Sequence, residues 1–505
     1  MENLRQNDQK PLRLIPVQIG LLALFFVGYH FFLFYIMRET ALNLGAVRFK
    51  RHIVPLYAEP SFALSLWILP ALLVCIGFLY LCHKFLLSGA SAKRLIWIAF
   101  VCFLAITVSV ALIDGYREYE EEGEEKRILV LLEPYTRTSL EYYGDVPRVD
   151  ELGLRTFLRD YSEPELFDTL SGHTRTHPPG GVLFLWIFSK IIGYNLVSAS
   201  LISILFTALT VVPFYRLGER LYGEKVARYS LLLFLIIPNF VMFTGTSMDG
   251  PFSVFPILSI YLFYEARARE TGPDEVWSNF RPYSLLMGLS LALGMFMTYS
   301  TVIVGVFLCI VPLLERRKFV QYLKVLLFAG AGFIGFYLLL FILTGFRPIE
   351  ALVAAIKKDE MGMGTGYESV GRYLHLSFAN LFAFLIGVGL PITTIWLRQV
   401  VSTIAEWRRN ALPSEEDTYA RRIPWILQHE KLDAFVIGFL ITLLFFTFST
   451  LFTMEVERIW ILMVPFFVIP VAKHLETRPI SDLYWVGGIL TVQLIVMEVL
   501  LYTYW

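Results

Sequence analysis

Between residues 171 and 186 the chain reads SGHTRTHPPGGVLFLW. His173, Arg175 and His177 stand at the lip of an apolar run, where imidazole and guanidinium groups could hold an anion. The two histidines are four residues apart, a spacing that on a helix would let both reach one metal ion. Pro178 biases His177 away from the helical region, so the pair does not share a helical face. No H-E-x-x-H, D-x-D or cysteine cluster adds ligands, and no metal is expected. The plainer role for His177 is a hydrogen bond to its own loop.

Other candidate groups lie along the chain. Asp145 sits in EYYGDVPR (141–148), at a Gly-Asp-Val-Pro turn, with Arg148 three residues on. A short amphipathic helix should follow, with Leu152, Leu154, Phe157 and Leu158 on one side. Asp114, in ALIDGYREY, is the rival carboxylate. Asp249 opens SMDGPFSVFP, where it can cap the next helix and still face a ligand. TMEVERIW (453–460) sets Arg458 beside Glu455 and Glu457, a local ion pair as readily as a ligand clamp. Arg372 lies in a Gly- and Met-rich stretch, a connector or a cover over the site. A carboxylate that takes a proton, with cations for an oxyanion leaving group, suits group transfer.

The elements that must position these groups are membrane helices. The chain has 505 residues, 56% of them hydrophobic, and no net charge. That excludes an ordinary soluble domain and gives no reason to expect a nucleic-acid partner. Apolar runs near 14–37, 61–83, 95–113, 195–215, 229–247, 251–266, 283–298, 300–314, 325–344, 376–396, 433–452, 459–472 and 483–504 predict about thirteen spans. With the N-terminus inside, more than half of the 43 Lys and Arg fall in the cytoplasmic segments. The loop 38–60 fits least well. Cys75, Cys82, Cys102 and Cys309 read as buried packing residues.

The long 114–194 segment then lies outside, and all the candidate groups face that side. The run 179–192 would extend only about 21 Å against a core of about 30 Å. It is expected to lie in the interface as a helix, with Pro178 and Pro179 in its first turn. The acidic run 118–125 reads as a solvated face.

In order and spacing, these motifs resemble the GT-C superfamily of integral-membrane glycosyltransferases. The branch is that related to protein O-mannosyltransferases and lipid A aminoarabinose transferases. The resemblance rests on Asp145-Val-Pro-Arg148, then THPPGGVLFLWIFSKIIG, the basic turn LGERLYGEKVARYS and SMDGPFSVFPILSIYLFYEA. It is looser at EVERIWILMVPFFVIP. Relatives usually carry Asp-Glu where this chain has Asp145-Val146, and their catalytic Asp follows the first core span more closely. The resemblance implies an all-α, GT-C-like polytopic protein. It would have an N-terminal extra pair of spans (1–94), a core (95–315) with the catalytic loop, and a variable C-terminal region (316–505).

It further implies Asp145 as catalytic base, with Asp114 as rival. Arg148, Arg175, His177, Asp249, Arg372 and Arg458 would contact donor sugar or phosphate. The donor would be a sugar on a polyprenyl or dolichyl monophosphate. The acceptor would be a hydroxyl of a lipid, glycan or protein at the extracytoplasmic face, with inversion and no cofactor. A transporter or flippase is the alternative. It would carry charges at mid-span and inverted repeats, and neither is evident.

Overall fold

The computed structural model describes residues 15–32, 53, 55–56, 58–86, 89–121, 124–269, 279–315, 319–363, 366–410 and 433–503. Most of loop 38–60, with Arg38, Arg48, Lys50 and Arg51, lies outside them. So do the side chains of the acidic run 118–125.

The architecture is all-α, and each expected apolar run contains helix among its described residues, the second from Ile68 only. Among the described residues, seven helices are long and apolar enough to cross a membrane unaided, or eight if one bent pair is a single span. The elements beyond the helices are two small ribbons. Strand β1 (Ala58–Pro60) pairs antiparallel with β4 (Leu501–Thr503), and β2 (Tyr116–Glu121) with β3 (Glu124–Leu129). The acidic run is part of a hairpin, because tyrosines and Ile128–Leu129 give its flanks strand character.

Ion pairs gather at one end of the bundle. Arg220 meets Glu265 at 2.7 Å, Arg267 meets Glu315 at 3.5 Å, and Lys473 meets Asp433 at 2.8 Å. Tyr222 also donates to Asp433, at 2.8 Å. Asp114, the 142–177 segment, Asp249 and Arg458 lie at the other end.

One span is broken in mid-course, and another helix meets its successor at a single glycine. Glu224–Phe234 and Pro238–Thr246 meet at 55°, where Pro238 cannot donate to the preceding turn. Val370–Val388 gives way to Leu390–Asn410 at Gly389, whose φ of 111° is open to glycine alone at no strain. A broken helix inside a membrane must satisfy its freed backbone groups from elsewhere. One side chain does so here: Gln493 accepts from Leu390 N at 2.8 Å and donates to Ile386 O at 2.8 Å.

Helix Gly180–Ile192, expected to lie in the interface, is 13 residues long. It follows His177, which packs on Tyr142, and leads to Tyr194, which stacks on Tyr143 at 4.4 Å. Both of its ends therefore meet the 142–143 turn. Trp186 and Lys190 both donate to Asp150, at 2.8 and 2.6 Å, tying it to the helix above.

Two local expectations change. Gly153 (φ 77°) splits the amphipathic helix into Val146–Leu152 and Leu154–Arg159. Phe157 and Leu158 are buried, whereas Leu152 and Leu154 are exposed. Cys309 is exposed while the other three cysteines are buried, because it sits on the outer face of its helix.

Candidate functional site

The site is a buried acid–base cluster drawn from four separate parts of the chain. Residues Tyr142–Asp145 form a 3-10 turn, and Glu141 just before it is 4% exposed. Gly172–Thr176 is a single helical turn whose His173 Nδ1 lies 3.0 Å from Glu141 Oε2. The Asp249–Arg269 helix brings Asp249, and the Val456–Ile459 turn brings Arg458.

Arg458 Nε lies 3.2 Å from Asp249 Oδ2, and its Nη2 also pairs with Glu455. Ser247 Oγ donates to Asp249 Oδ2 at 3.1 Å. Glu455 adopts φ 63°, a left-handed conformation that disfavours most side chains and costs about 1–3 kcal/mol. The ion pair with Arg458 is what that strained backbone achieves. Asn239, next to the helix break, donates to Glu457 O at 3.0 Å and anchors the same turn.

The electrostatics of the first pair are mutual. Burial alone would neutralise His173, but the adjoining Glu141 carboxylate overrides it and raises the histidine above its ordinary value. Burial likewise opposes a charged Glu141. His173, with Arg458 and Arg137 farther off, overrides that and lowers it below the usual carboxylate range. Glu141 is thus held ionised against a protonated His173. Its Oε1 is buried and has no hydrogen-bond partner.

His177 behaves differently. Burial among Tyr142, Phe252 and His173, together with the nearby Arg458, pushes it down to about 3. It stays neutral, with Nδ1 3.1 Å from His173 O and 3.2 Å from Thr176 Oγ1. Its carbonyl accepts from Tyr161 at 2.9 Å.

Of the residues expected from sequence, Asp249, Arg458 and His177 come together. Asp145 is 2% exposed and turned to a neighbouring loop: Ser171 N donates to its Oδ2 at 2.9 Å, and Arg148 Nε stands 3.4 Å from Oδ1. Arg148 also donates to Thr169 Oγ1 at 2.7 Å and Thr169 O at 2.8 Å. The two residues stitch the 142–148 turn to the loop that carries His173.

Asp114 lies in a second group. It pairs with Arg117 at 2.8 Å, and Arg117 in turn stacks on Tyr502, whose hydroxyl donates to Glu133 at 2.6 Å. Arg372 is buried near Glu368 at 3.9 Å. Arg175 is on the same turn as His173. Its Nε is buried without a hydrogen-bond partner, and the Pro348–Met363 helix packs against that turn.

Glu141, and His173 as its partner, were missed, whereas the Glu455–Arg458 pair was anticipated. Glu141 stood in the quoted EYYGDVPR but is joined to His173 across 32 residues, which no local spacing reveals. The signal that could have found it is the run of two tyrosines after a lone glutamate, opposite a histidine-rich turn.

A polytopic helical bundle with a carboxylate, a histidine and an arginine buried together at one end has the make-up of a membrane-embedded transferase. Residues 176–342, about a third of the chain, match the model of the dolichyl-phosphate-mannose-protein mannosyltransferase family, within the GT-C superfamily. The match includes His177 and Asp249 and begins after Glu141 and Asp145. Over that stretch the chain is similar to a family of integral-membrane glycosyltransferases. No curated protein and no solved structure matches it.

Proposed function

We propose that the protein transfers a sugar from a polyprenyl or dolichyl monophosphate to an acceptor hydroxyl at the extracytoplasmic face, with Glu141 as the base. The observation that carries this is the unpartnered, buried Oε1 of an ionised Glu141 beside the Asp249–Arg458 pair. A buried acceptor atom without a donor is costly unless a ligand supplies one.

The acceptor hydroxyl gives its proton to Glu141 Oε1 as its oxygen bonds to the anomeric carbon. The bond from that carbon to the phosphate oxygen breaks, and the phosphate leaves with the electron pair. One displacement inverts the configuration. A carboxylate held below its ordinary range is a weak base. It suffices for a hydroxyl that grows acidic as it bonds to an electron-poor carbon. Asp249, fixed by Arg458, accepts from sugar hydroxyls. Arg175 is the cation best suited to the leaving phosphate, since its Nε has no partner of its own. Neutral His177 serves as a hydrogen-bonding wall, and Asp145 with Arg148 holds the turn in place. Arg372 contributes a further cation from the first turn of the Val370–Val388 helix.

The test is transfer from polyprenyl-phosphate sugars to crude membrane acceptors by purified protein. Glu141→Gln should lose about 10²–10⁴ in rate while folding normally. Asp145→Asn should lose less in rate and more in stability. Full activity in Glu141→Gln, with Asp145→Asn or Asp114→Asn dead, would move the base to that aspartate.

A further inference from the structure

The end of the bundle away from the acid–base cluster holds a cavity of about 280 Å³. Arg220 and Leu221 line it from the end of the Val211–Tyr222 helix. Tyr264, Arg267 and Ala268 line it from the Asp249–Arg269 helix, and Gln321 from the first turn of Phe319–Thr344. Tyr264 is about fifteen residues along the helix from Asp249, or about 22 Å. The proposed reaction makes no use of it.

Three observations point to an anion. Tyr264 is 3% exposed, and its hydroxyl has no hydrogen-bond partner. A buried donor facing a polar cavity is satisfied by what enters that cavity. Second, three guanidiniums meet two carboxylates here. Glu265 takes Arg220 and Arg269, and Glu315 takes Arg267 at the longer distance of 3.5 Å. Positive charge is left over, and each guanidinium has more donors than its carboxylate uses. Third, Gln321 stands in the first turn of a 26-residue helix with no acidic residue in that turn. The open N–H groups there favour an anion. On the same helix Val320, Leu323 and Leu327 are exposed and apolar, a surface for acyl chains.

We propose that this cavity binds a phosphate-bearing headgroup. Arg220, Arg267, the Tyr264 hydroxyl and the helix N-terminus hold the phosphate, and the lipid chains follow the exposed face of the 319–344 helix. A soluble phosphate ester offers the same oxygens to the same donors. The site is independent of the transferase chemistry at the other end.

Full-length protein in neutral detergent tests this by thermal melting against dioleoylphosphatidic acid, dioleoylphosphatidylcholine and inorganic phosphate. Phosphatidic acid should raise the melting temperature, and phosphatidylcholine should not. Tyr264→Phe keeps the ring and removes only the hydroxyl, so it should melt like the wild type without lipid. Its half-saturating phosphatidic acid concentration should rise about tenfold, as should that of Arg267→Gln. If inorganic phosphate alone reproduces a shift that both variants lose, the site stands with a soluble ligand. If both variants respond as the wild type does, or phosphatidylcholine equals phosphatidic acid, the proposal fails.

Discussion

Glu141 and His173 set each other's charge, so the pair should be visible in pH profiles. With its folded value lowered, Glu141 lends stability at pH above the ordinary carboxylate value, and loses it as pH falls through the lowered one. His173 is raised. It contributes below the ordinary histidine value, and that contribution fades as pH climbs through the raised one. Transfer activity should therefore hold across the window between them. In His173→Asn the lowering influence is gone, so the acid limb of the rate profile should move to higher pH. An unmoved limb would mean that His173 does not tune Glu141. Arg458→Met leaves the buried Asp249 and the half-buried Glu455 without their cation. A loss of about 3–5 kcal/mol is expected, read as a drop in melting temperature.

At the scale of elements, Gln493 and Gly180 are the positions where helix geometry rests on one residue. Gln493→Leu would strand Leu390 N at the Gly389 break, while Ile386 O still accepts from Gly389 N. The expected cost is about 1–3 kcal/mol, measured by thermal melting. Gly180 begins the interfacial helix where even a single Cβ would lie 2.1 Å from Phe296 O. Gly180→Ala should shift that helix and cost about 1–3 kcal/mol. Its shortness was legible beforehand, because length against membrane thickness is arithmetic and Pro178-Pro179 mark its start. Asp249 and Arg458 were legible too, each at the mouth of a span. What could not be read was which carboxylate faces the histidine. Asp145 has an arginine one helical turn away and so looks like chemistry, yet that arginine and Ser171 N fasten a loop. Glu141 has no local partner at all.

Over the whole molecule, the two ends of the bundle differ in charge pairing and in proposed task, and the membrane should separate them. In a cysteine-free background, Glu163→Cys and Lys225→Cys should react with a membrane-impermeant maleimide from opposite faces of sealed vesicles. Labelling of both from one face would break the alternation of spans on which the extracytoplasmic placement depends. Much of this large-scale order follows from hydropathy and from the crowding of arginine and lysine on one side. The two ribbons do not, since β1 and β4 are three residues each and pair across more than four hundred positions.

That pairing bears on the order in which the protein is made. Tyr502 caps Arg117 with its ring and gives its hydroxyl to Glu133, while Leu501 and its neighbours complete the strand begun at Ala58. The 114–135 wall emerges from the ribosome early but finds these partners only when residues 501–503 have been synthesised and threaded to the same face. A growing chain therefore carries this wall without its ring and strand partners until residues 501–503 follow it to the same face.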